Sequence, residues 1–308
     1  MTGGSTPRVL RLADGRALGY AVHGNPAGAP LLLLHGTPGA HSQVAIGHDA
    51  ATAAGLAIIA PDRWGYGESD VSPVPSLSGF AADMAALMDH FGHAHFAVGG
   101  ISGGAPYATA IAASLASRVT ALALISPMGP IDAPEVRRSL MPFHRFCFTM
   151  LPPRPRLVRA IFRGFRASLR YSPRLAAKLA TLRAGPRDAA IIAQPVVATW
   201  LLRSFADGLR HGTEGPLQDL RTFSRPWDVD FAAVRAPARL WIGARDTAVP
   251  LEAARTLARA IAQCELSELP MEGHLWVATH YDQVLAWVAA VIRNKDAAVG
   301  AASSHRTP

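Results

Sequence analysis

The feature that most constrains this chain is a set of short apolar runs that do not alternate. "APLLLLHG" ends at Gly36, "LAIIAPDR" at Arg63, "HFAVGGIS" at Ser102, "VTALALISP" at Pro127 and "ARLWIGARD" at Asp246. A strand with one face in water alternates apolar and polar residues. A near-continuous run is how a strand covered on both faces of a parallel sheet reads. Segments of helical period lie between these runs. The clearest is "SLSGFAADMAALMDHFG", where Phe80, Met84, Leu87 and Phe91 recur at three- and four-residue spacing. Ser76 or Ser78 is placed to cap that helix and Gly92 to stop it. Two short strands, about residues 9–12 and 17–22, open the chain around the hairpin signal Asp14-Gly15. The pattern predicts an α/β fold with a mostly parallel central sheet of about eight strands flanked by helices.

The alternation stops after Pro127. From residue 131 to 231 no strand pattern is convincing, and helical stretches broken by proline replace it. The simplest reading is a helical cap inserted after the sixth strand. The predicted organisation is a core of residues 1–130, the cap at 131–231, the rest of the core at 232–295 and a disordered tail at 296–308. A last helix is expected over about residues 275–293.

Composition narrows the class. The chain has 308 residues and is 50% hydrophobic, enough for a large core, and only 17% charged. No run of about 18 apolar residues predicts a spanning helix, and the N-terminus lacks the apolar segment of a signal peptide. Cys147 and Cys264 match no zinc or redox spacing, so neither a metal nor a disulfide framework is predicted, and a cytoplasmic setting suits them. The formal charge is +8. It is unevenly spread: Ala133 to Arg225 holds 17 Lys and Arg against 5 Asp and Glu, a local +12, which leaves the remainder at −4. The basicity belongs to the cap. No nucleic-acid-reading module accompanies it, so nucleic acid is not an expected partner.

"VGGISGGAPYA", Val98 to Ala108, carries the chemistry. It fits G-x-S-x-G with Gly100, Ser102 and Gly104, after an apolar strand and before a helix. A serine on so sharp a bend needs small residues two positions to either side. The following helix aims its N-terminal amides at a developing negative charge.

At this point the chain resembles the α/β-hydrolase family, in particular its capped serine hydrolases. Three further segments carry the resemblance, in family order: "HGTPG" (His35 to Gly39), "DRWGYGESD" (Asp62 to Asp70) and "MEGHLW" (Met271 to Trp276). A serine hydroxyl is a poor nucleophile at neutral pH and needs a base, with an acid behind the base. The family order of serine, acid and histidine points to Ser102, Asp246 and His274. Asp132 is the alternative acid, and Asp228 and Asp230 are weaker ones. His280 is the nearest competing base, and His35 is expected to shape the oxyanion loop. The resemblance implies backbone N–H donors at Thr37 and Gly103 for the oxyanion. Asp62 and Arg63 are expected to hydrogen-bond neighbouring loops. Trp64 is expected either in the pocket or in the core. Phe143 and Phe146 are candidate pocket residues, with packing of the cap on the body as the other reading.

The serine itself excludes chemistry. Capped hydrolases that open epoxides or displace halide use a carboxylate, whose alkyl ester water can later cleave; a serine there would give an inert ether. Acyl transfer is favoured: esterase, lactonase, thioesterase, amidase or C–C hydrolase, without a cofactor and on a small-molecule substrate. The expected substrate is an apolar carboxylic ester of small to medium size. An aminopeptidase is the rival activity and would need acidic cap residues for a substrate ammonium, of which there are Glu135, Asp188, Asp207, Glu214 and Asp219. A non-catalytic ligand- or lipid-binding protein on the same scaffold is the rival of another class.

"RPRLVRAIFRGFRASLRY" places Val158, Ile161, Phe162, Phe165 and Leu169 on one stripe and Arg159, Arg163, Arg166 and Arg170 beside it. Such a helix can lie on a membrane surface or grip an anionic group. The favoured reading is plainer: aromatics toward the cavity, arginines in solvent.

Overall fold

The computed structural model describes residues 6–304. Its centre is an eight-stranded sheet: β1 Arg8–Arg11, β2 Ala17–Gly24, β3 Ala29–Leu34, β4 Leu56–Pro61, β5 Phe96–Ile101, β6 Val119–Ile125, β7 Ala238–Gly243 and β8 Cys264–Leu269. The strand order is β1-β2-β4-β3-β5-β6-β7-β8. β2 pairs antiparallel with β1 and β4, and every other pairing is parallel.

The apolar runs become strands because both faces are covered. Every residue of β4, β5 and β6 is buried. In β3 the side chains divide by the period of two: Leu32 and Leu34 enter one core layer, Leu31 and Leu33 the other. The first layer is built with α2 (Leu77–His90), α3 (Ala105–Ser114) and α11 (Leu251–Ala260). The second is built with α1 (His48–Ala54) and α12 (Tyr281–Ser304). Ser76 is the N-cap of α2 and accepts from Gly79 N–H, while Asp228 accepts from Leu77 and Ser78 N–H at the same end. That explains Asp228 without catalysis. Asp230 likewise accepts from Ala232 N–H at a short turn.

Between β6 and β7 lie seven α-helices: α4 Pro134–Ser139, α5 Pro142–Arg145, α6 Pro155–Tyr171, α7 Pro173–Thr181, α8 Pro186–Ile192, α9 Pro195–Gly208 and α10 Glu214–Phe223. Each of α4 to α9 begins on a proline, whose fixed φ and missing N–H suit the first helical turn and stop the preceding segment. On α6, Val158 is buried with Leu151, Leu217 and Leu220, but Ile161, expected on the same stripe, is 42% exposed. Arg159 pairs with Glu214, and Arg166 donates to the Arg210 carbonyl. Part of the arginine stripe is therefore used inside the insertion.

Helix α12 runs to Ser304, nine residues into the segment predicted as tail. That stretch is rich in alanine and has no proline before Pro308, so it prolongs the helix. The last four residues lie outside the described ones. Among the described residues no single helix is long and apolar enough to cross a membrane.

One buried group is poorly accommodated. His23 on β2 is 2% exposed, and neither ring nitrogen has a partner. Burial, with help from His41 and His48, pushes its pKa from 6.5 down to about 4. An unfolded His23 takes up a proton near pH 6.5, and the folded one resists until about 4. Stability therefore falls as pH drops between those values, by up to roughly 3 kcal/mol from this residue. His41 has the opposite sign, its pKa being raised by Asp62 against the effect of burial. His23→Leu should raise the melting temperature at pH 5 more than at pH 7.5, as measured by thermal unfolding at both.

Candidate active site

Ser102 follows β5 directly and has φ 51°, the left-handed region that non-glycine residues rarely enter. The glycines on either side are required by space. A Cβ on Gly100 would lie 2.6 Å from the Gly104 carbonyl, and one on Gly104 would lie 2.7 Å from the His35 carbonyl oxygen. Residues 102–104 form one tight turn and α3 starts at Ala105, so the turn feeds a helix N-terminus.

The loop after β3 lies against this turn. A Cβ on Gly36 would lie 3.2 Å from Ser102 Cβ, and one on Gly103 would collide with Thr37 Oγ1. Gly36 N–H is occupied by Gln43 Oε1 at 2.5 Å. Thr37 N–H has no acceptor among the described residues. His35 is fully buried with both nitrogens engaged: Nδ1 donates to the Gly36 carbonyl at 2.8 Å, and Nε2 accepts from Arg63 N–H at 2.9 Å. Burial and the Arg63 charge push its pKa down to about 3. It is a neutral strut in the loop and has no free lone pair for proton transfer.

Asp246 and His274 stand on the loops after β7 and β8. Asp246 Oδ2 accepts from His274 Nδ1 at 2.7 Å, and Oδ1 accepts from Ala248 and Val249 N–H. An ionised carboxylate only accepts, so the proton sits on Nδ1 and the Nε2 lone pair is free. Burial opposes a charged imidazole, but the Asp246 and Asp188 carboxylates outweigh it and raise the His274 pKa above 6.5. No hydrogen bond joins His274 to Ser102, whose hydroxyl has no partner among the described residues. Two strands, β6 and β7, separate the β5 that leads to Ser102 from the β8 that leads to His274. Met128 N–H donates to the Ser102 carbonyl, and Ser126, two residues earlier, donates its hydroxyl to the His274 carbonyl. The competing base His280 turns Nδ1 back to Thr279 Oγ1 and the Trp276 carbonyl.

Three supporting residues were not singled out by sequence. Ser126 has φ 43° at the end of β6 and also accepts from Trp276 Nε1. Asp188 of α8 is buried and accepts from the backbone N–H of both His274 and Leu275 at 2.9 Å. A Cβ on Gly273 would collide with its carboxylate, which explains the glycine before the histidine. Asp219 of α10 is buried against Arg63 and Thr37. Their only sequence signal is a lone acid or serine, visible once a partner more than eighty residues away is known.

The "DRWGYGESD" loop is held by Asp62, which accepts from His41 N–H and Nδ1 and from Glu68 N–H. Trp64 belongs to the core and not the pocket: it is 4% exposed, meets Phe80 edge-on and donates Nε1–H to Asp83. The indole prefers that site because its one donor finds a carboxylate there. Phe143 is covered by the Arg183 guanidinium at 4.1 Å, and Phe146 is 39% exposed. A cleft of about 480 Å³ between residues 71–77 and α10 contains none of Ser102, Asp246 and His274. Burial holds both cysteine thiols protonated, with pKa values pushed up to about 11, so neither competes as nucleophile at neutral pH. Among the described residues no three His, Cys, Asp or Glu side chains are grouped to hold a metal.

Asp188→Ala removes the acceptor for two buried N–H groups, and about 2–4 kcal/mol of stability should go with it. Hydrogen exchange at His274 and Leu275 should quicken; protection equal to wild type would deny Asp188 this role.

Comparison with known proteins bears on the fold. A family model described as alpha/beta hydrolase fold matches residues 29–281. No curated protein matches the chain. Among solved structures, the enol-lactonase of Burkholderia xenovorans is similar with a TM-score of 0.66 at 21% identity, over 93% of this chain and all of the other. A thermophilic esterase of Thermogutta terrifontis reaches 0.62 at 21% identity, over 94% and 99%. Epoxide hydrolase A of Mycobacterium thermoresistibile reaches 0.69 at 21%, over 94% and 98%. At such identities the likeness speaks for the fold, and with the family match over most of its length the chain belongs to the alpha/beta hydrolase fold family.

Proposed function

We propose that this protein is a serine hydrolase that cleaves an apolar carboxylic ester of small to medium size through an acyl-enzyme. The observation that carries the reading is the Asp246–His274 bond with its free Nε2, on the same sheet edge as a strained serine at a helix N-terminus. His274 Nε2 takes the Ser102 proton as Oγ attacks the carbonyl carbon. Asp246 keeps the ring in the tautomer that can do so and stabilises the imidazolium. The N–H groups of Thr37 and Gly103 receive the oxyanion. The proton on Nε2 then passes to the leaving alkoxide; water, deprotonated by the same nitrogen, attacks the acyl carbon, the bond to Ser102 Oγ breaks, Oγ takes the proton back from Nε2 and the acid leaves. Proton transfer needs Ser102 Oγ and His274 Nε2 within hydrogen-bond reach, a contact that commonly tightens in the substrate complex. Apolar substrates suit the surroundings: Phe223 packs against Gly103, and the residue that holds the Ser102 carbonyl through its N–H is the buried Met128.

An aminopeptidase fits less well. Of the five acidic residues between Ala133 and Arg225, Asp188 and Asp219 are bound to the body, Glu214 pairs with Arg159, and Asp207 faces Arg203 and Arg210. That leaves little negative charge for a substrate ammonium.

Ser102→Ala should keep the fold and abolish turnover of p-nitrophenyl esters, and wild type should label with a fluorophosphonate probe. A folded wild type that stays unlabelled would turn the reading to a binding protein on this scaffold. The base must be neutral to act, so kcat/KM should fall as pH drops through a value above 6.5. Asp246→Asn removes the charge that raises the His274 pKa; the inflection should move to lower pH and kcat should drop about 10⁴-fold.

A further inference from the structure

Helix α10 of the insertion carries a carboxylate saturated with hydrogen bonds deep inside the molecule. Asp219 is 1% exposed. It accepts from Arg63 Nη1 at 2.5 Å, Thr37 Oγ1 at 2.5 Å, Tyr66 OH at 2.6 Å and Tyr107 OH at 2.9 Å. Four donors fill the lone-pair positions of one carboxylate. Arg63, equally buried, uses its other donors on the loop after β3: Nε to the His35 carbonyl, Nη2 to the Gly36 carbonyl and to Thr37 Oγ1. Three consecutive loop residues are thus gripped by one ion pair.

The Thr37 hydroxyl is the joint of this arrangement. It gives its single proton to Asp219 and accepts from Arg63, which fixes the side chain in one rotamer. The fixed Oγ1 fills the space above Gly103, where a Cβ would collide with it. Phe223, one turn after Asp219 on α10, closes the same space from the other side. The Thr37 N–H is left without an acceptor, while its neighbour Gly36 N–H is taken by Gln43.

Resting on the ester-hydrolase reading above, we infer that Asp219 and the Thr37 hydroxyl are positioning residues of the oxyanion site. Through them the inserted helices set the orientation of the Thr37 N–H, and so the rate of the chemical step. Neither side chain touches the reacting atoms. Their role is to hold one backbone donor at the angle where it meets charge that develops only in the transition state. Arg63 alone could hold the loop's carbonyls; the Asp219 link adds the constraint on the threonine.

Asp219→Asn leaves Arg63 buried without its counter-charge and can fail to fold, so the decisive variant is Thr37→Val. It keeps the shape of the residue and its backbone N–H and removes only the hydroxyl. With a p-nitrophenyl ester, Thr37→Val should lower kcat by about tenfold or more, a fraction of what loss of a whole oxyanion donor costs, with KM within about twofold. Thr37→Ser should recover kcat to within about threefold of wild type, because the tether is restored. Unaltered kcat in Thr37→Val, or an equal loss in Thr37→Ser, would overturn the inference. A second readout does not need the enzyme to turn over ester: amide exchange across residues 35–39 should be faster in Thr37→Val than in wild type and Thr37→Ser. If wild type hydrolyses no ester yet exchange follows this order, the substrate reading fails and the tether stands. If exchange is the same in all three, the tether fails.

Discussion

Ile101, Ile125 and Trp241 stand side by side in the register of β5, β6 and β7, and Gly243 pairs with Leu269 across β7 and β8. Ser102, Ser126, Asp246 and His274 come just after these strand ends. In a parallel sheet all such ends lie along one edge, so residues 172 positions apart in sequence arrive at the same edge without any direct contact to guide them. The site is a consequence of register. A slip of one residue in any of these strands would turn its side chains to the opposite face and carry its loop away from the others. The two full core layers, one on each face, are what make such slips costly, because every residue of β4, β5 and β6 is already buried.

Register brings the loops together, but it does not fix the atoms on them. That is done by buried carboxylates that accept from donors on other segments of the chain. Asp62 holds the loop after β4, Asp188 the histidine loop, Asp219 the loop after β3, and Asp246 the imidazole. Charges this deep lose much of their hydration, and mutual attraction offsets the loss only when every lone pair is used. The arrangement is therefore stiff: one missing donor leaves an anion unsatisfied in a low-dielectric interior. Stiffness suits a site whose donors must already point where charge will form.

Much of this was legible in the sequence, and the part that was not has a physical reason. The strands were readable because burial on both faces leaves a local mark, a run of apolar residues. The bend at Ser102 was readable because collisions with Gly104 and the His35 carbonyl forbid larger residues, and that too is local. Trp64 could not be placed from sequence, since an indole suits a pocket or a core, and the carboxylate that decides the matter is on α2. Residues 296–304 continue the last helix instead of forming a disordered tail, because alanine favours helix by itself. Asp188 and Asp219 were counted only as scarce acids in a basic segment. Their partners lie 86 and 156 residues away, a separation at which no spacing rule operates.

The charge of the insertion has a different meaning once those partners are known. Its excess cations are partly spent at its border with the body, where Arg187 meets Glu272, and Arg210 and His211 meet Glu68. These pairs are exposed, and each contributes little in water and salt. The few anions of the insertion do the opposite. Two of them, Asp188 and Asp219, are buried, and both take donors from the body: the amides of the histidine loop and the guanidinium behind the loop after β3. The polarity of the border is thus inverted between surface and interior. Outside, insertion cations meet body anions in a loose, screened attraction. Inside, insertion anions meet body donors in fixed geometry. A segment attached only by the outer contacts could swing freely over the sheet edge. One attached by the inner contacts cannot leave without exposing Arg63 and two amides of the His274 loop, so the helices between β6 and β7 are part of the site's framework.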